Sequence, residues 1–487
     1  MICLHTTKGP TRPCGIAPLV LALAVGLGGC AQLPELERLS TLKPATQTAS
    51  SFSAPLAQWP AENWWTIYGD KQLDALIEEA YAGSADMAAA AARLRQAEAL
   101  GQVTGSALGP QVSARASATE QKMSYNHLTP RAMTPQGWTD FGLATLDLSW
   151  EIDFWGKHRA ALAAASSQVE ASKAELAQAR LALAAGVAAN YAQLAELFSV
   201  RDTVERSVDI RRKTVALFTE RFDNGLETQG SLNEAKARFA AAEGELLSVD
   251  ERIGLQRHRL AALLGAGPDR GLSIERPQLN LSAGHGLPTE LSANLLGRRP
   301  DVVAARLMAQ AQSSRITEKK AEFYPNVNLS AVIGVQSMGL GMLTKAGSGM
   351  GTIGPAISLP IFTSGRLTGE LKGTAAAYEQ AVATYNATVT QALQEVADAW
   401  LSQKSLSAQL NKATEAFTAA NEAYRVARNR YEGGLASYLE VLHAEDTLLE
   451  SQRALTSLQS RAFSLDVALK RALGGGYQQT EFQKSNS

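Results

Sequence analysis

Between positions 371 and 399 apolar residues recur at Leu371, Ala375, Tyr378, Val382, Tyr385, Val389, Ala392, Val396 and Ala399. Their spacing alternates between four and three, a mean period of about 3.5, which is the seam of a coiled coil. A different period governs positions 144–154. There Ala144, Leu146, Leu148, Trp150, Ile152 and Phe154 alternate with Thr145, Asp147, Ser149, Glu151 and Asp153. Strict alternation predicts a strand with one apolar and one carboxylate-bearing face. Val327, Leu329, Ala331, Ile333 and Val335 repeat that pattern, and Ile353, Ile357, Leu359 and Ile361 point to a strand beside them.

Proline sets the lengths. None lies between Pro135 and Pro268, and none follows Pro360. Proline is excluded from helix interiors because it lacks the backbone donor and clashes with the preceding turn. The stretches 157–222 and 366–431 therefore read as helices. At ~1.5 Å per residue each is on the order of 100 Å long, more than a single globular core needs.

The chain is written twice. Ser149 matches Ser358, Gly156 matches Gly365, Arg221 matches Arg430, Gly225 matches Gly434 and Gly265 matches Gly474, always 209 residues apart. Upstream the offset is 215, with Asp86 matching Asp301 and Pro110 matching Pro325. A duplication with one loop length change explains both offsets. Each copy reads as a helical segment (71–107 and 288–322), two strands, a very long helix, a glycine turn and a shorter helix. Four strands per chain cannot close a barrel, since about eight is the practical minimum. Open edges are not tolerated in a membrane, so membrane-spanning strands here require several chains to share one barrel.

The N-terminus changes the picture from fold to address. Lys8 and Arg12 precede a short apolar run, Ile16 to Leu27, and then Leu27-Gly28-Gly29-Cys30. This resembles the lipobox of bacterial lipoproteins, which predicts a signal peptide over 1–29 and a covalent lipid on Cys30. Ala31 stands where an aspartate would resemble the inner-membrane retention signal, which favours the outer membrane. Acyl chains tether without spanning. The remaining cysteines, Cys3 and Cys14, lie in the signal, so the body of the chain has neither disulfide nor thiolate metal site. The net charge of −1 gives no reason to expect nucleic acid. The six histidines lack metal-ligand spacing, GMLTKAGSG at 341–349 lacks the ending of a phosphate loop, and no G-x-S-x-G is present. The chain reads as a non-enzyme without a cofactor beyond the Cys30 lipid.

With these features in hand, the chain resembles the outer-membrane efflux channel family, the TolC- and OprM-like factors and NodT-type lipoprotein subunits. The carriers are the twofold plan together with PAENWWTIYGDKQLDALIEEA from Pro60, LLGRRPDVVAARLMAQAQ from Leu295, GPAISLPIFTSGRL from Gly354 and RYEGGLASYLEVLHAE from Arg430. The resemblance covers nearly everything after Cys30. It implies an α+β membrane protein in which three identical chains form an α-barrel continuous with one twelve-stranded β-barrel, four strands from each. It implies outer-membrane localisation with a long periplasmic extension, docked to a periplasmic adaptor and an inner-membrane transporter. The organisation expected is signal peptide 1–29, lipid-anchored linker 30–62, repeat one 63–267, an equatorial linker 268–287, repeat two 288–474 and a polar tail 475–487.

The turns Asn224-Gly225-Leu226 and Gly433-Gly434-Leu435 read as glycine C-caps, and the resemblance places adaptor docking on them. Just past each turn the family carries gate residues, often acidic. The matching positions here are Glu440 and His443 in copy two and Ser231 in copy one. A ring of Glu440 carboxylates would attract cations and repel itself, and His443 on the same helical face would add a pH response or bind a metal ion. The function expected is a passive exit duct for drugs or other toxic small molecules. A duct for type I protein secretion, a lipid-tethered periplasmic adaptor and a soluble coiled-coil scaffold are the alternatives.

Overall fold

The computed structural model describes residues 33–36, 39–44, 52, 57–126, 130–278, 287–288 and 291–478. The expected signal peptide, Cys30 and the tail from 479 onward lie outside the described residues. The first series of elements is α1 (Lys71–Gly83), α2 (Ala85–Ser106), β1 (Gln111–Lys122), β2 (Trp138–Ile152), α3 (Lys157–Asp223) and α4 (Gln229–Leu263), followed by the short α5 (Asp269–Leu272). The second is α6 (Leu291–Arg298), α7 (Pro300–Ala321), β3 (Asn326–Met338), β4 (Gly349–Ser358), α8 (Arg366–Glu432) and α9 (Tyr438–Ala472). The two offsets reappear in these bounds. α2 and α7 differ by 215 at both ends, and α3/α8 and α4/α9 by 209 at both ends.

The segments expected as single helices over 71–107 and 288–322 are each two helices, broken at Ser84 and Arg299. Pro300 accounts for the second break, because it disfavours helix at the residue before it and suits the first helical position. A crossing backbone marks both. A Cβ on Gly265 (φ +72°) would collide with the Gly83 carbonyl, and one on Gly474 (φ +89°) with that of Arg298. Only glycine allows that approach together with left-handed backbone.

The chain divides into two compact units, each drawing on both repeats. One unit contains the sheet, with strand order β1-β2-β3-β4 and antiparallel pairing throughout. Register puts Ala114, Leu146 and Ile333 opposite one another, and likewise Val112, Leu148, Ala331 and Ile353. Directly opposed residues share a face, so one face is apolar across all four strands. Arg115 and Thr145 are opposed on the other face, as are Ser113 and Asp147. The apolar face is open: Ile333 is 59% exposed and Ile353 78%. The two outer strands, β1 and β4, have no further strand beside them among the described residues.

Two expectations about the strands are corrected. β2 stops at Ile152 rather than 154, because Asp153 accepts the backbone N–H groups of His158 (3.2 Å) and Arg159 (2.9 Å) and so caps α3. Leu359 and Ile361 fall past β4, which ends at Ser358. At these strand–helix junctions the exposed side chains are large and aromatic. Trp155 stacks on Tyr324 with centroids 4.8 Å apart and donates to the Pro325 carbonyl at 2.8 Å, while Phe154 and Phe362 are exposed beside the strand ends.

The other unit is helical. Trp64, Trp65 and Tyr68 pack with Leu73, Leu76 and Ile77 of α1 against α3, α4 and α9 in one core. Leu291, Leu295 and Val302 pack against Tyr385, Val389, Ala392 and Val396 of α8 in a second. Among the described residues one helix, Lys157–Asp223, has a stretch apolar and long enough to cross a membrane, and half of that stretch is buried. Ala184, Val187, Ala188, Tyr191 and Leu194 of that helix belong to the first core, which accounts for apolar character there without lipid.

Candidate functional site

The helical unit brings both predicted turns to one place. In the first, Leu226 N–H donates to the Arg221 carbonyl (2.8 Å) and Gly225 N–H to that of Phe222 (2.9 Å). In the second, Leu435 N–H donates to Arg430 (2.7 Å) and Gly434 N–H to Tyr431 (3.0 Å). This pair of bonds is the Schellman closure, which requires a left-handed residue, and Gly225 and Gly434 supply it at φ +70° and +72°. The Asn224 amide covers the Glu220 carbonyl at 2.7 Å. Gly433 is not left-handed and still bonds back along the helix, to Asn429. Leu226 and Leu435 are left in solvent, the latter 75% exposed.

The residues just past the turns serve first as caps. Thr228 caps α4, accepting Ser231 N–H at 3.1 Å, and the two hydroxyls lie 2.8 Å apart. Its repeat mate Ser437 caps α9 and donates its own N–H to Glu440 at 3.2 Å, closing a capping box. The other Glu440 oxygen lies 3.4 Å from Arg430, whose side chain also donates to the Leu435 carbonyl. Within one chain, then, Ser231 and Glu440 stabilise helix starts, and His443 is an exposed side chain one turn on.

The two hairpins, α3–α4 and α8–α9, meet through aromatic packing beside the turns. Phe218 stacks on Tyr431 (5.6 Å, 8° between planes) and tilts against Tyr438 at 4.2 Å. Leu232, Ala235, Val441 and Leu442 complete this cluster. The Arg221 guanidinium lies 4.5 Å over the Tyr431 ring, and the Tyr431 hydroxyl donates to Glu227 at 2.7 Å. Burial opposes the Glu227 charge, but the Tyr431 and Ser231 hydroxyls, the Thr228 N–H and Arg221 outweigh it and hold the carboxyl below its ordinary range. Burial, with Glu227 adding to it, pushes the Tyr431 hydroxyl up.

A second contact joins the hairpins farther along α9. Glu445 is 1% exposed. It accepts the Thr214 hydroxyl at 3.2 Å and lies 3.4 Å from Arg211 Nε of α3. Arg238 of α4 reaches Asp446 at 2.8 Å. None of Tyr431, Phe218 and Glu445 stood out in the sequence. Glu445 had a readable signal, since it falls in the apolar stripe Tyr438, Val441, Leu442, Leu448, Leu449 at helical spacing.

Comparison with known proteins supplies the wider setting. The outer membrane efflux protein family matches the chain twice, over residues 76–266 and 291–475. The starts are 215 residues apart and the ends 209, the same two offsets as the internal repeat. The fusaric acid resistance protein FusA of Burkholderia cepacia is 36% identical over 377 residues, covering 75% of this chain and 70% of that protein. The multidrug resistance outer membrane protein MdtP of Escherichia coli K12 is 33% identical over 427 residues, 86% of this chain and 87% of its own. The crystal structure of the outer membrane protein VceC from Vibrio cholerae shares 47% identity with a TM-score of 0.82, covering 86% of this chain and 100% of that one.

Proposed function

Because the chain belongs to the outer membrane efflux protein family, we propose that it is the passive exit duct of a tripartite pump that expels toxic small molecules. The observation that carries this reading is the four-stranded sheet. One face is apolar and open across all four strands between Val112 and Ala118 of β1 and their partners, the opposite face bears Arg115, Asp147 and Ser113, and neither outer strand has a further strand beside it among the described residues. In water such a face costs about 25 cal/mol for each Å² left exposed, a cost that lipid removes. Edges cannot stay open in lipid, where unpaired backbone groups have no solvent. Three chains contributing twelve strands satisfy both demands and leave the polar face around a wet lumen. Trp155, Tyr324 and Phe362 at the strand ends suit the belt of aromatic side chains found at membrane–water interfaces.

In this reading the lipid on Cys30 tethers the N-terminus to the same membrane. The exposed Leu226 and Leu435 beside the turns receive the periplasmic adaptor, which links the duct to an inner-membrane transporter that supplies the energy. Three copies of Glu440 around the axis form the cation-attracting gate. Fusaric acid is the compound in FusA's name and MdtP is named for multidrug resistance, which favours small organic molecules as cargo.

The test is complementation. Expression in a strain lacking its own duct, with a matching adaptor and transporter, should restore resistance to small organic toxicants and lower intracellular dye. Restored secretion of a protein substrate with no change in resistance would instead identify a type I secretion duct.

A further inference from the structure

Glu445 is the one charged side chain in the apolar stripe of α9, and it meets its surroundings poorly. Oε2 accepts from the Thr214 hydroxyl, which is shared with the Ile210 carbonyl, while Oε1 meets Arg211 Nε only as an ion pair at 3.4 Å, with no hydrogen bond to either atom. Arg211 divides its charge, with Nη1 donating to the Arg238 carbonyl at 3.0 Å and Nη2 lying 3.5 Å from Asp446. Arg238 divides its own between Asp446 (2.8 Å) and Glu234 (3.2 Å). Two guanidinium groups thus serve three carboxylates. From α8, Tyr424 adds a ring near Glu445 and is bonded to Arg428, whose charge is taken up by Glu432 at 2.8 Å, and Tyr438 adds another ring from α9 itself. A buried carboxylate so provided costs more to desolvate than its partners return.

We propose that Glu445 is a positioning residue that sets, through its protonation state, how tightly α9 is held against α3 beside the two turns. The proposal rests on the reading of those turns as the working end of the duct. When ionised, Glu445 gains by reaching water, so the charge favours separation of α9 from α3. When protonated, it is a small polar group with a hydroxyl partner and the helices pack. Burial raises its carboxyl above the ordinary value of 4.5, with Arg211 and Thr214 pulling the other way. The packed arrangement therefore binds the proton more strongly than the separated one. Packing is strongest at low pH and weakens as pH rises from 4.5 through the raised value. The Glu227–Tyr431 contact titrates with the opposite sign, so the two are separable by position.

The measurement is amide hydrogen exchange of the full-length protein in detergent at pH 5 and pH 8, corrected for the intrinsic effect of pH. In the native protein the peptide 438–450 should exchange faster at pH 8, on the order of tenfold. Glu445→Gln should remove that difference and stay protected at both pH values. Thr214→Val keeps the carboxylate but takes away its hydroxyl donor, and should move the midpoint of the loss to higher pH. Retention of the native pH response by Glu445→Gln overturns the proposal, as does a native protein without one or a midpoint that Thr214→Val leaves unmoved. The readout is local exchange, so these outcomes stand whether or not complementation identifies an efflux duct.

Discussion

The guanidinium of Arg299 is fully engaged. It meets Asp301 at 2.6 and 3.0 Å, Glu395 at 2.8 Å and the Ala472 carbonyl at 3.2 Å, joining α6, α7, α8 and the end of α9 in a buried position. The sequence marked it only as part of an RRPD motif; its partners come from positions up to 173 residues away. Arg299→Leu strands two carboxylates and should cost about 3–5 kcal/mol, read as a drop in the thermal midpoint of the purified protein. Glu440 teaches the reverse lesson. Its family position suggested a gate, yet within the chain its first role is to close a capping box with Ser437. That local chemistry was legible as S-x-x-E from Ser437. At the neighbouring turn, Tyr431→Phe removes one charge-assisted hydrogen bond. It should cost about 1–2 kcal/mol at neutral pH. Because Glu227 is held below its ordinary value of 4.5, the native contact is complete above 4.5 and lost as pH falls through the depressed value. Hydrogen exchange of residues 424–436 should therefore differ between native and variant at pH 7 and converge in acid.

At the scale of elements, regular periods were read well and crossings were not. Eight of the nine seam positions in α8, from Leu371 to Ala399, are buried, and Tyr378 is half-buried. A heptad announces its own packing because one face must be covered. Leu371, fully buried against Ile316, Phe323 and Leu367, should cost about 2–5 kcal/mol when cut to alanine, seen as a lower midpoint in thermal or denaturant unfolding. The crossing that marks the break at Ser84 was not legible, because it comes from Gly265, far along the chain. The glycine pair 265 and 474 was visible as a repeat identity, but nothing local says what it accommodates. The end of β2 was misread for a related reason. Alternation continues through Asp153, and only the start of α3 draws that carboxylate into a cap.

For the whole molecule, the duplication was plain in the sequence, and the family matches it twice at the same two offsets. Membrane competence could be read only as a conditional, since alternating strands also occur in half-buried soluble sheets. The open apolar face and the aromatic side chains at the strand ends strengthen it. Cys30→Ala separates tether from barrel. If the strands span the membrane, the variant should still require detergent for extraction, whereas release by salt would mark a protein held by lipid alone.

The open edges of β1 and β4 also have a consequence for inheritance. A subunit that must offer two edges and find two partners cannot work in isolation, and a faulty copy does harm by being accepted. If three chains assort at random from equal pools of sound and defective subunits, only about one assembly in eight is free of the defect. Alleles that leave the strand edges able to pair but spoil the duct elsewhere should therefore be dominant over the native gene. Alleles that prevent the chain from folding at all should be recessive.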